Sequence, residues 1–162
     1  MIALTVVVFA ILGVGARVYY AWLWQRHREA ISHAITEVQP LLSALEAYRA
    51  DHGSYPSALD DLVPDYLPAI PEPPFDFPVD EWQYVSGREE VRDWAWEAAT
   101  NEAPLELPEQ VYSLWVWVPS GYIPLSGMFS DALVYHSHGE YARFAYGGVL
   151  MERIDGWAYY HE

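Results

Sequence analysis

The sequence predicts an α+β fold, a long N-terminal transmembrane-plus-amphipathic helix packed on an antiparallel sheet of about four to six strands. Three observations predict it. The first 50 residues have helical spacing, apolar all round at the start and striped along one face afterwards. The C-terminal part alternates β-branched and aromatic runs with turn residues. The helix stripe and one sheet face each need a cover, and each can provide it for the other. At 162 residues the chain is the size of one domain. It divides into an anchor with a basic flank (1–28), a spine helix (29–52) and a head (53–162) on which the spine packs.

Ile2 to Ala16 is an uncharged run of 15 residues, walled by Ile2, Val8, Phe9, Ile11 and Leu12. Arg17 interrupts it and Val18 to Trp24 resumes it. The two runs together give about 34 Å of helix at ~1.5 Å per residue, against a bilayer core of ~30 Å. Tyr19, Tyr20, Trp22 and Trp24 are the residue types of an interfacial belt, and Arg17 can snorkel past them to water. The expectation is a single-pass anchor in contact with membrane lipid. A second reading is a signal peptide with Val14-Gly15-Ala16 as its small-residue cleavage site. Against it, no basic residue precedes the run and apolar residues continue past the site. Arg17, Arg26 and Arg28 all follow the run, so the positive-inside rule alone places the body in the cytoplasm.

Ile31, Ala34, Ile35, Val38, Leu41, Leu42, Leu45 and Tyr48 then recur at spacings of three and four, while Glu29, Glu37, Glu46 and Arg49 fall off that stripe. Pro40 predicts a kink with one backbone bond lost. Asp51-His52-Gly53 predicts the stop, through a left-handed glycine. Seven prolines between Pro56 and Pro78 exclude a central strand or a long helix there, leaving one short helix from Ser57 to Val63. Ser57 is its expected cap, with Asp60 three residues on. Val91 to Thr100 reads as a further short helix.

Trp82 to Val85 opens the sheet, and Val111 to Val118, apolar on both alternating faces, is its central strand. Leu133 to Tyr135 and Tyr141 to Tyr146 flank a turn at Ser137–Glu140. Val149 to Ile154 and Trp157 to Tyr160 flank Asp155-Gly156, the strongest hairpin signal in the chain.

Charge narrows the function classes. From Glu29 onward five Arg face 23 Asp and Glu, which excludes a nucleic-acid partner and disfavours a body lying on anionic lipid. The absence of Cys removes disulfides and thiolate chemistry. His136 and His138 alternate on one strand face and His161 and Glu162 close the last strand, a pattern read as surface rather than zinc. Ser126 to Asp131 offers calcium a single carboxylate, too few oxygens for a site. Asp60-Asp61, Asp80-Glu81 and Glu89-Glu90 read as solvated surface, since adjacent helix residues do not face one another. No nucleophile elbow, phosphate loop, dinucleotide fingerprint or zincin motif is present. The expectation is a non-enzyme without cofactor, metal or small-molecule substrate. Trp94, Trp96, Trp115, Trp117 and Trp157 are either part of a buried second layer made by the 91–100 segment or an aromatic partner surface. Trp115 and Trp117 share one strand face and are the candidates for that surface.

Leu41 to Pro74 resembles the type IV pilin-like proteins, most closely the pseudopilins of type II secretion. The resemblance is carried by Ala44, Leu45, Tyr48, Asp51, His52, Gly53, Tyr55, Pro56, Leu59, Leu62, Val63, Pro64, Tyr66, Leu67 and Pro68. In that family the phrase marks the end of the spine helix and the loop into the head, and Pro40 echoes its mid-helix proline. The resemblance implies a structural subunit anchored in the bacterial inner membrane with its head in the periplasm. Its partners would be other pilin-like subunits, packed through the N-terminal helix into a secretion piston or pilus. The family's basic leader, Gly-Phe cleavage site and Glu at the fifth mature position are not matched, and Thr5 stands at position five. Either the start lies upstream or this relative is unprocessed. In the unprocessed case the alternative is a monomeric inner-membrane protein whose aromatic head binds a protein or glycan.

Overall fold

The computed structural model describes residues 2–75, 81–95, 106–119 and 130–161, with side chains for all of these except 2–10, 94, 95, 119 and 130. Helix α1 (Ile2–Glu37) and helix α2 (Gln39–His52) form one spine broken at Val38. The break follows from Pro40, which has no amide hydrogen and sits in the first turn of α2, where none is needed. Val38 carries the joint. Its amide bonds Ala34 O at 3.0 Å, and its carbonyl accepts from Leu41 at 3.0 Å and Leu42 at 3.2 Å. Gly53 ends α2 at φ +77°, with its amide on Arg49 O at 2.8 Å.

The expected short helix is a single 3₁₀ turn, η1 (Leu59–Leu62), and its cap differs from the expected one. Asp61 closes it, accepting from the Ser57 amide and hydroxyl and from the Ala58 amide. Those hydrogen bonds hold the Asp61 carboxyl below the usual carboxylate range. Helix α3 (Arg88–Ala95) overlaps the segment expected to be helical but starts three residues before Val91, and residues 96–100 of that segment fall outside the description.

Among the described residues the sheet has six antiparallel strands: β1 (Gln83–Ser86), β2 (Tyr112–Pro119), β3 (Ser130–His136), β4 (Phe144–Ala145), β5 (Gly148–Ile154) and β6 (Trp157–His161). Their spatial order is β1-β2-β3-β6-β5-β4. The β5–β6 hairpin turns on Asp155 and Gly156, both at positive φ, as the Asp-Gly pair predicts. The turn after His136 does not lead into a hairpin partner for β3. Both edges of β3 are taken, by β2 and β6, so 141–146 passes to the far side of the sheet and pairs with β5 instead.

The two faces of the sheet bury different layers. On one, Leu114, Val116, Val118, Leu133, Trp157 and Tyr159 meet the spine, whose Ile31, Ala34, Val38, Leu41 and Leu45 are fully buried. Burying aliphatic side chains of this size is worth ~1.5–3 kcal/mol each, which is what holds an otherwise marginal helix in place. On the other face Trp115, Val134, Ala158 and Tyr160 are covered by Tyr141, Ala142, Ala145 and Tyr146. The second layer over Trp115 thus comes from the residues between β3 and β5 rather than from the expected 91–100 segment, and Trp115 is 3% exposed. Trp117 remains part-exposed beside it. Trp157 lies on the helix face and is fully buried. Trp96 and the side chain of Trp94 lie outside the described residues.

Candidate functional site

The spine changes character at Trp24. From residue 31 its apolar side chains are buried, whereas Ile11, Leu12, Val14 and Val18 are 62–65% exposed. Tyr19, Tyr20 and Trp22 are also exposed. Large apolar side chains in water over three helical turns mark a surface that something else covers. Ile2, Val8 and Phe9 precede them in the same helix, and their side chains lie outside the description. Among the described residues no helix is long and apolar enough to cross a membrane.

The aromatic belt has an internal order. Tyr19 stacks on Trp22 with centroids 6.2 Å apart and meets Tyr20 edge-on at 6.0 Å. The Arg26 guanidinium lies 5.0 Å over Trp22. Tyr19, Trp22 and Arg26 follow helical spacing, so ring and cation form one strip along the helix. Trp24 departs from the belt expected of it. It is half-buried, and its ring meets Tyr159 of β6 edge-on at 5.7 Å.

A polar chain clamps the helix to the sheet just beyond Trp24. Asp131 of β3 is fully buried. The Tyr159 hydroxyl donates to its Oδ2, and His161 Nδ1 donates to its Oδ1 at 2.7 Å. Because the Tyr159 hydrogen goes to Asp131, His27 Nε2 donates to the Tyr159 oxygen at 3.1 Å. Burial pulls His27 down to about 4, so the ring is neutral at pH 7. Arg28 adds an exposed pairing to Glu152 of β5 at 3.5 Å. The calcium reading at 126–131 rested on this one carboxylate, which is already held by Tyr159 and His161, while 126–129 lie outside the description.

At the other end of the spine the proline-rich motif joins helix to sheet. Tyr48 stacks on His52 at 4.1 Å, and the Tyr66 hydroxyl donates to Asp51 at 2.9 Å. Arg49 donates to the Tyr55 hydroxyl at 2.7 Å, and that hydroxyl donates to Glu46 at 2.8 Å. The Tyr55 ring packs edge-on against Tyr112 of β2 at 4.6 Å. Tyr84 and Ser86 of β1 both donate to Pro56 O, and Gln110 donates to Gly53 O at 2.6 Å. Leu62 is fully buried, and Leu59 packs at the rim of the same core. The motif therefore fixes the angle at which the chain leaves the helix and enters the sheet.

The histidines depart most from their expected surface placement. His136 is 1% exposed, with Nε2 at 3.1 Å from the Tyr146 hydroxyl, which in turn lies 2.6 Å from Ser113 Oγ. Burial and the neighbouring His138 pull His136 down to about 3, and burial lowers His138 as well. Both are thus neutral at pH 7. His136 Nδ1 and both His138 nitrogens are buried with no hydrogen-bond partner among the described residues. No described cluster of three His, Asp or Glu could hold a metal. The partners of His136, Tyr146 and Ser113, come from other parts of the chain, so no local sequence signal announces this burial.

Two shallow hollows flank η1 and β1. One, of about 170 Å³, is lined by Tyr55, Gly87 and Glu109 among others. The second, of about 240 Å³, lies between Ser57–Asp60 and Glu81–Tyr84. Both fall below the ~300 Å³ at which ligand pockets usually begin. Asp60 and Glu81 are exposed at the second, which Ser57 and Tyr84 also line.

No family model, curated protein or solved structure matches the chain.

Proposed function

We propose that the chain is a non-enzymatic, membrane-anchored structural subunit of the pilin-like kind, related to the pseudopilins, acting in protein secretion or filament assembly. Residues 2–24 are its anchor in the bacterial inner membrane, where they pack on the same segment of neighbouring subunits, and the head lies in the periplasm. One observation carries the reading. One spine is buried under a sheet along its stripe at 31–45, while its residues 11–22 are exposed, apolar and belted with Tyr and Trp, with Arg26 over Trp22. That exposed stretch is too short to span a bilayer alone, and the uncharged residues 2–10 supply the remaining length. The polar clusters of the head support a structural role, because each joins one element to another: His27 to Asp131, Arg49 to Tyr55, Ser113 to His136. A periplasmic head agrees with the family phrase at Leu41–Pro74, and long domains translocate largely regardless of flanking charge.

The part-exposed Trp117 favours one second reading, a monomeric anchored protein whose head binds a protein or glycan. Crosslinking separates the two. The chain has no cysteine, so Leu12→Cys or Val14→Cys introduces one thiol in the exposed helix face. Oxidation in native membranes gives disulfide-linked dimers that increase with expression level if spans pack on one another. A crosslink-free monomer at every level removes the filament reading and leaves the second.

A further inference from the structure

Strand β6 runs toward the point where α1 leaves the head. Trp157 at its start packs on Trp82 and Tyr135, Tyr159 on Trp24 and His27, and His161 lies beyond. Val149 is the register partner of His161, so the start of β5 lies at that same end. Glu152, a few residues on, pairs with Arg28 of α1. The strand carries a bulge: Leu150 opposes Tyr160 and Glu152 opposes Tyr159, leaving Met151 as the extra residue. Val149 is 38% and Met151 44% exposed; with Val63 they are the exposed large apolar residues of the described head. Two of those three thus lie at the end of the sheet where α1 leaves the head.

Charge is uneven along the sequence. Residues 1–28 and 130–162 hold five Arg against five acids, one of them the buried Asp131. Residues 29–129 hold three Arg against 18 acids, the whole net charge of −15. At the helix exit the described charges are paired or buried: Arg28 meets Glu152, and the buried Asp131 is held by Tyr159 and His161, so little there repels a lipid headgroup. No linker separates head from anchor either. α1 is continuous from residue 2 to residue 37 and is already docked on β6 at Trp24. A head held so close to the belt of Tyr19, Tyr20 and Trp22 has little room to stand clear, since two helical residues rise only ~3 Å.

We propose that the head rests on the bilayer surface through the start of β5, with Val149 and Met151 in the headgroup layer as a second apolar contact beside α1. This rests on the anchor reading. It makes the head's orientation a property of its fold, because the His27 clamp and the β5 contact together fix which face looks away from the membrane.

Single-cysteine variants of the full chain test it. Leu12→Cys, Val149→Cys, Met151→Cys and the distal Ala58→Cys are each labelled with an environment-sensitive fluorophore and reconstituted in phosphatidylcholine nanodiscs. Nitroxides are placed on the lipid headgroup or deep in the acyl chain. The proposal expects deep quenching at 12, and headgroup quenching at 149 and 151 several-fold stronger than at 58. Quenching at 12 with 149 and 151 no different from 58 overturns the head contact and leaves the anchor standing. No quenching at 12 overturns the anchor reading and this proposal with it. Labels at 149 and 151 that are shielded from water but untouched by either nitroxide show a second copy on this edge, which also overturns the lipid contact.

Discussion

The two halves of the spine use the same aliphatic residues to opposite ends. Leu12 and Val14 are 62% and 63% exposed, whereas Leu41 and Val38 are fully buried. What differs is the pattern around them. Between residues 31 and 48 the apolar positions form one stripe among charged neighbours, so a single sheet face covers all of it. Between 2 and 16 no charged residue interrupts the run, and no single face could cover a helix that is apolar all round. The junction between the two regimes is where Trp24 and His27 meet Tyr159.

The largest way to break this comparison is to truncate the same residue in each half. Leu41→Ala or Leu45→Ala should cost about 2–5 kcal/mol of head stability, read as a lower thermal midpoint. Leu12→Ala should leave that midpoint unchanged, because no head residue covers it. Equal losses at 12 and 41 would mean that the exposed half also packs on the head.

Acid comes next. His27 and His136 are held neutral by burial, at about 4 and about 3 against an ordinary 6.5. Below pH 6.5 the unfolded chain takes up protons that the folded one refuses, so stability falls as pH drops through the window from 6.5 to about 4 and on towards 3. Chemical denaturation at pH 7.5, 6 and 5 should show a steadily lower midpoint. His27→Phe should lessen the slope, and a flat profile would show that the clamp is not buried in solution.

Tyr159→Phe removes the donor that joins His27 to the buried Asp131. A loss of about 1–3 kcal/mol is expected from the carboxylate left short of a hydrogen bond, measured by the same denaturation curves. Arg28→Ala should do least, about 0–1 kcal/mol, since its ion pair with Glu152 is half in water. A larger loss there would move Arg28 from the rim into the clamp.

Much of the fold was legible because its signals are local. The stripe at 31–48, the Pro40 break, the Gly53 stop and the Asp155-Gly156 hairpin depend on neighbours in sequence, and each appears where its residues place it. What was illegible depends on who pairs with whom. Nothing near Ser137–Glu140 announces that β3 already has two partners, so the strand after it was not recognisable as an edge strand on β5. For the same reason the covering of Trp115 by Tyr146, and the burial of His136 beside it, could not be read from a strand pattern that fits either face. The clamp was equally hidden. Its donors and acceptor come from α1, β3 and β6, and 132 residues separate His27 from Tyr159.

The account's central claim is that the exposed half of α1 lies in lipid, and membrane extraction of the full chain tests it most directly. The account predicts that the protein stays with the membrane through alkaline carbonate washing and is released by detergent. Release into the carbonate supernatant would contradict it, and would leave residues 11–22 as a surface for another protein.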